Sequence, residues 1–147
     1  MIVIGVSSVL FGLVAINLSK AQRSTSTSAT VETLVSDIKS QQLKAMMGAT
    51  EGRTGSDTYG LYFQSGSYTL FHGMTYFPAD TANFVVTDDS ATSFSTTLPN
   101  GLLIFSKISG EMAGWTSGQN TITVRDTSTN TTKTITLNRY GVISSIQ

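Results

Sequence analysis

The spacing of apolar and polar positions changes character along the chain, and each change predicts a different element. Residues 1–18 (MIVIGVSSVLFGLVAINL) form an apolar run with no charge and no proline. A helix of that length spans about 27 Å, close to the ~30 Å hydrocarbon core of a bilayer. The run therefore predicts a membrane-compatible helix, with Ile2, Ile4, Val6, Val9, Leu10, Leu13, Val14, Ile16 and Leu18 as its apolar surface. Residues 24–30 (STSTSAT) are either a flexible linker or a weak part of one continuous helix. Ser and Thr are mediocre helix formers, but neither Pro nor Gly forces a break. Beyond them Val31, Leu34, Val35, Ile38, Ala45 and Met46 recur at helical spacing, with Glu32, Asp37, Lys39, Ser40 and Lys44 mostly opposite. The pattern predicts an amphipathic helix over residues 29–47. Acids near its start and Lys44 near its end suit the helix dipole, and Gly48 suits its C-terminal cap.

From Tyr59 onward the period is two. Residues 59–64 and 67–72 are aromatic and β-prone around Ser65-Gly66, which predicts a hairpin. Further strands are predicted at 84–87, 93–98, 102–107, 121–125, 133–138 and 140–146, with a short one around 111–113. Seven or eight antiparallel strands imply two small sheets or one strongly curled sheet. The candidate core is Leu61, Phe63, Tyr68, Leu70, Phe84, Val86, Leu103, Phe105, Ile122, Val124, Ile135, Leu137, Val142 and Ile143. The expected fold class is α+β. A long N-terminal helix protrudes by its first half and packs by its C-terminal half on a small antiparallel β head. Residues 1–48 are the helical part, and residues 49–147 the head.

Two other readings compete for residues 1–18. A signal peptide would open on a basic segment and end at a small-residue cleavage site, and here Asn17-Leu18-Ser19-Lys20 follows the run instead. A buried helix of a soluble domain would be unusually long. The first basic residues, Lys20 and Arg23, lie after the run, which by itself would place the head on the cytoplasmic side. An upstream basic leader would reverse that. The abrupt start of the run leads us to expect such a stretch before it.

Composition narrows the chemistry. Nine basic and nine acidic side chains give a formal net charge of zero, so the basic excess of a nucleic-acid binder is missing. Charged residues make up 12%, about half the usual share, and Ser and Thr replace them. With no cysteine, disulfides and thiolate metal sites are excluded. The single histidine, His72, has no nucleophile in pattern with it and reads as a surface strand residue rather than a general base. Asp80 and Asp88-Asp89 match no calcium-ligand ladder and read as solvated turns. Asn130-Thr131-Thr132 and Asn17-Leu18-Ser19 fit the glycosylation sequon, a cheap match in so Thr-rich a chain. Trp115 lies on a Gly-rich loop, where it either contacts a neighbour or packs on its own loop. No phosphate loop, zinc pattern or catalytic triad is present, so neither enzyme activity nor a cofactor is expected.

The order of these elements resembles the type IV pilin-like plan: an apolar N-terminal helix, an amphipathic continuation and a β head. Residues 1–12 (MIVIGVSSVLFG) resemble the mature pilin helix from about its seventh position onward, without the Phe-Thr-Leu-Ile-Glu start of that class. Residues 34–46, 59–71, 104–111 and 134–143 are similar to the GspH/FimT-type pseudopilins. The resemblance implies a structural subunit of a type IV pilus or a type II secretion-like pseudopilus. Its partners would be further copies or other pilins in a helical filament at the cell surface, after a stage inserted in the cytoplasmic membrane. Some FimT-type proteins bind DNA through a basic C-terminal motif. Residues 138–147 hold only Arg139, so nucleic acid is not an expected partner. The remaining alternatives are a minor pilin acting in DNA uptake and a single-pass anchored extracellular binding domain.

Overall fold

The computed structural model describes residues 27–88 and 91–147. The apolar run of residues 1–18, with all nine residues named on it, lies outside the described residues, as do residues 24–26; residues 27–30, the rest of the 24–30 run, are helical. Among the described residues no helix is long and apolar enough to cross a membrane.

The fold is α+β: the described residues form one α-helix and two antiparallel four-stranded sheets. Helix α1 covers residues 27–46. Its period holds, since Val31, Leu34, Ile38 and Ala45 are buried and Val35 packs against them. Gly48, at φ +62°, ends it as expected. The Gly48 N–H bonds to the Ala45 carbonyl and the Ala49 N–H to the Lys44 carbonyl, the paired bonds of a Schellman cap.

The strands are β1 (Tyr59–Gln64), β2 (Ser67–His72), β3 (Phe84–Thr87), β4 (Thr92–Thr96), β5 (Leu102–Phe105), β6 (Thr121–Asp126), β7 (Thr132–Leu137) and β8 (Ile143–Ile146). One sheet has the order β3-β2-β1-β5 and is rich in aromatics; the other has the order β4-β6-β7-β8 and is mainly aliphatic inside. The β1–β2 hairpin turns at Ser65-Gly66 with Phe63 opposite Tyr68. The expected strand at 111–113 shrinks to a single bridge between Phe105 and Met112. The fifth strand stops at Phe105 because the Ser106 N–H turns to the Glu111 carbonyl. The last strand begins at Ile143, not Tyr140, because the Asn138 side chain caps the Tyr140 and Val142 N–H groups in a turn.

One apolar cluster joins α1 to both sheets: Leu34 and Ile38 from the helix, Leu61 and Leu103 from the aromatic sheet, Ile122 and Ile135 from the aliphatic one. Of the expected core, Phe84 is 65% exposed and Val142 53%. On α1, Met46 is 49% exposed. Phe84 pairs with Leu70, on the face that also carries buried Tyr68 and Leu61, so its face is the expected one. It stays open because β3 is an edge strand and the cover over its face stops short of that end. Val142 lies in the turn before β8, outside the alternation. Tyr59, Phe71, Phe94, Leu98 and Met112 complete the buried set.

Candidate functional site

Side chains of the helix, both flanking loops and the aromatic sheet meet at the helix–head junction and in a cleft beside it. α1 is tied to the head by side chains as well as by its apolar stripe. Tyr68, buried on β2, donates its hydroxyl to Asp37 Oδ2 at 2.6 Å. Burial and the carboxylate at that bond push the Tyr68 phenol well above its ordinary pKa, so it stays a donor. The Gln42 amide donates to the carbonyls of Gly110 (2.9 Å) and Tyr140 (2.8 Å), which pins two loops to the helix at once. Gly110 must stay small there, since a Cβ would sit 2.4 Å from Met46 Cγ. The Ile108 N–H donates to the Ala45 carbonyl, and Ile108 takes φ +72°, a strained angle for a β-branched residue.

Toward the His72 end of the aromatic sheet, α1 and the strands part. They leave a cleft of about 350 Å³ between Gln41 and Lys44 on one side and Tyr59, Leu70, His72 and Phe84 on the other. Tyr59 and His72 are opposite one another across β1–β2, and Leu70 is opposite Phe84 across β2–β3, which is why these four share a wall. Two loops close the ends, one through Glu51 and the other through Ala82.

His72 fastens both loops. Its Nδ1 lies 3.0 Å from Asp57 Oδ2 and its Nε2 2.9 Å from Asp80 Oδ2, with the side chain 17% exposed. Each ring nitrogen thus faces one carboxylate, one from the loop before β1 and one from the loop after β2. Burial works to raise the Asp57 carboxyl, but the bonds from His72 and the Thr58 N–H outweigh it and hold the group below its ordinary value. His72 is therefore a half-buried clamp rather than a surface strand residue, while Asp80 lies in a turn as expected, one carboxylate oxygen accepting from the Ala82 N–H and the other facing His72. The clamp was not legible in the sequence, because the three residues meet only when two loops fold back over the end of β2. Among the described residues no group of His, Asp or Glu is placed to hold a metal ion.

Across the cleft, Lys44 Nζ is 2.7 Å from Glu51 Oε1 and lies over the Tyr59 ring, 5.8 Å from its centroid. The Tyr59 hydroxyl donates to the Ala49 carbonyl at 2.9 Å and accepts from Arg53 at 3.0 Å, so it is fully used. Gln41 is 3% exposed, and its Oε1 has no hydrogen-bond partner among the described residues. An unsatisfied buried acceptor costs about 1–3 kcal/mol.

The other candidates fall into local roles. Asp88 accepts from the Thr30 hydroxyl of α1. Asn130, in the β6–β7 turn at φ +60°, accepts from Arg125. The Arg139 guanidinium lies 5.1 Å from the Tyr140 ring centroid. Trp115 is 38% exposed. Comparison of the chain with protein-family models, with curated proteins and with solved structures gives no match in any of the three.

Proposed function

We propose that the chain is a structural subunit of a pilin-like filament, assembling through its N-terminal apolar helix. The observation that carries this reading is α1. It is already helical at residue 27, only residues 19–26 separate it from the apolar run, and it is fixed to a β head by a buried stripe and by Asp37 and Gln42. A tether that only anchors a domain gains nothing from such a rigid joint. A subunit that must hold its head at a set angle in a helical array needs one. Residues 1–46 then form one long helix whose first half protrudes. That half occupies the cytoplasmic membrane before assembly and the filament core afterwards, with other copies or related pilins as neighbours. Ser7, Ser8, Gly12 and Ala15 allow close helix approach there.

The surface around the end of α1 supports the same role. Met46, Met47 and Ile108 are 49%, 67% and 74% exposed on adjoining segments, an apolar area suited to a neighbouring head. The reading assigns the chain no catalysis.

Val9→Asp is the test. A carboxylate among packed apolar helices costs several kcal/mol, so filaments visible by electron microscopy for the native chain should vanish in the variant while the head stays folded. Filaments of normal number and length from Val9→Asp would overturn the proposal. The absence of native cysteine allows a second readout. Ser7→Cys should cross-link into ladders under oxidation only if the helices pack side by side.

A further inference from the structure

The cleft beside His72 has features that a joint between helix and sheet does not require. It is open to solvent, its walls are held in place, and one lining side chain, the buried Gln41, has an amide oxygen without a partner among the described residues. We propose that it is a binding site for an uncharged, hydroxyl-rich ligand with one apolar face: a single neutral sugar residue, free or at the end of a glycan.

Three features of the cleft select this class. The first is charge. Lys44 and Glu51 at the opening are paired at 2.7 Å, and His72 on the wall faces Asp57 and Asp80, so the charged side chains lining the cleft already have counterparts and the first pair offers a donor and an acceptor side by side. A sugar's neighbouring hydroxyls can bond to both without breaking the pair. An anion would have to approach Glu51, and a cation Lys44. The second is Gln41, whose buried Oε1 lacks a partner among the described residues. A hydroxyl both donates and accepts, so it satisfies the amide in either orientation. The third is Phe84. It is 65% exposed on the wall of the cleft and unpartnered in the ring contacts of the described residues. An aromatic face at the rim of a polar cleft is the surface against which the C–H face of a pyranose packs.

The volume, about 350 Å³, lies at the lower end of the range for small-molecule sites and suits one ring rather than an extended chain. The Asp57–His72–Asp80 clamp fixes the loops carrying Glu51 and Ala82, so the walls are set before binding and little ordering is lost. The cleft lies between α1 and the β head, among the described residues, and does not depend on the filament reading.

The test uses the full-length chain in detergent with a panel of neutral methyl glycosides (glucoside, galactoside, mannoside, fucoside and N-acetylglucosaminide), read by saturation-transfer NMR and titration. Glycine and inorganic phosphate serve as zwitterionic and anionic probes. At least one glycoside should bind in preference to both. Phe84→Ala, an exposed position, should weaken that binding about tenfold or more with an unchanged thermal midpoint. Glu51→Gln should weaken it too, and Ala82→Trp should block it. The proposal is overturned if no glycoside binds, if glycine or phosphate binds more tightly, or if Phe84→Ala binds as the native chain does.

Discussion

The two sheets have the same number of strands and share one core, yet they are built differently. The aliphatic sheet alternates cleanly. Ile122, Val124, Ile135 and Leu137 are fully buried on one face, and Thr121, Thr123, Thr134 and Thr136 occupy the other. Thr123 and Thr134 pair across β6 and β7, and Thr121 bonds to Thr97 just past the end of β4. The aromatic sheet buries Tyr59, Tyr68 and Phe105 inside and Phe71 outside, where Tyr76 covers it edge-on at 5.6 Å and itself stacks on Tyr62. All four buried polar side-chain atoms without a partner among the described residues (on Gln41, Arg53, Thr58 and Thr69) lie on the aromatic sheet, the loop before it, or the helix over it. A sheet of aliphatic residues does one thing, which is to close a core. Tyrosines carry a hydroxyl beyond their apolar bulk, so they can tie a helix to a strand. The price of that versatility is unfilled polar groups and an open cleft.

The largest expected difference comes from truncation. Ile135 is 0% exposed on β7, between Ile122 and Ile146. Ile135→Ala should cost about 2–5 kcal/mol, measured as a fall in the urea midpoint with an unchanged slope. Phe84→Ala removes a larger side chain from the aromatic sheet at an exposed edge and should stay within about 0.5 kcal/mol of the native chain. The contrast breaks if Phe84→Ala is as damaging as Ile135→Ala, because β3 would then be closing the core after all.

A smaller effect separates the two roles of the aromatic sheet. Tyr68→Phe keeps the ring, including its edge contact with Phe94 at 5.4 Å, and removes only the hydroxyl on Asp37. Hydrogen bonds to charged groups contribute about 1.5–3 kcal/mol, and half-exposed Asp37 can regain a water, so a loss of about 1 kcal/mol is expected. A double-mutant cycle with Asp37→Asn isolates the pair. Additive losses would mean that the apolar stripe alone docks α1 and that the tyrosine hydroxyl is incidental.

The same contrast explains which parts of the fold were legible in the sequence. Alternation alone marks β6 and β7, because each has one buried and one hydroxyl face. The β1–β2 hairpin was legible from Ser65-Gly66, and α1 from its apolar spacing and Gly48. Period two identifies a face but not how far the cover over it extends, so Phe84 was assigned to the core by its face and found open by its place at the edge. Phe71 escaped for the opposite reason: its face was expected to be the outer one, and only a loop aromatic buries it. The cleft combines residues from α1, three strands and two loops, a juxtaposition with no local spacing to betray it.

The smallest effect is a titration. Asp126, at the end of β6, accepts from the Ser128 hydroxyl at 2.5 Å, the Ser128 N–H at 2.8 Å and the Thr129 N–H at 3.0 Å. The Ser128 hydroxyl first, and then the Thr129 N–H, hold its carboxyl at about 2 against an ordinary 3.8, with burial opposing. A carboxyl depressed in the folded state binds fewer protons there than in the unfolded chain. Its stabilisation is therefore complete above 3.8 and is lost as pH falls through about 2. Asp57 shifts in the same direction through His72, so the measurement belongs in an Asp57→Asn background, which leaves Asp126 as the lowered carboxyl to be tested. Adding Asp126→Asn should flatten the fall of unfolding free energy across that window and leave the slope near neutrality unchanged. An equal slope with and without Asp126 would mean that the turn after β6 is held by its backbone alone. The aliphatic sheet would then close the core without help from any charge.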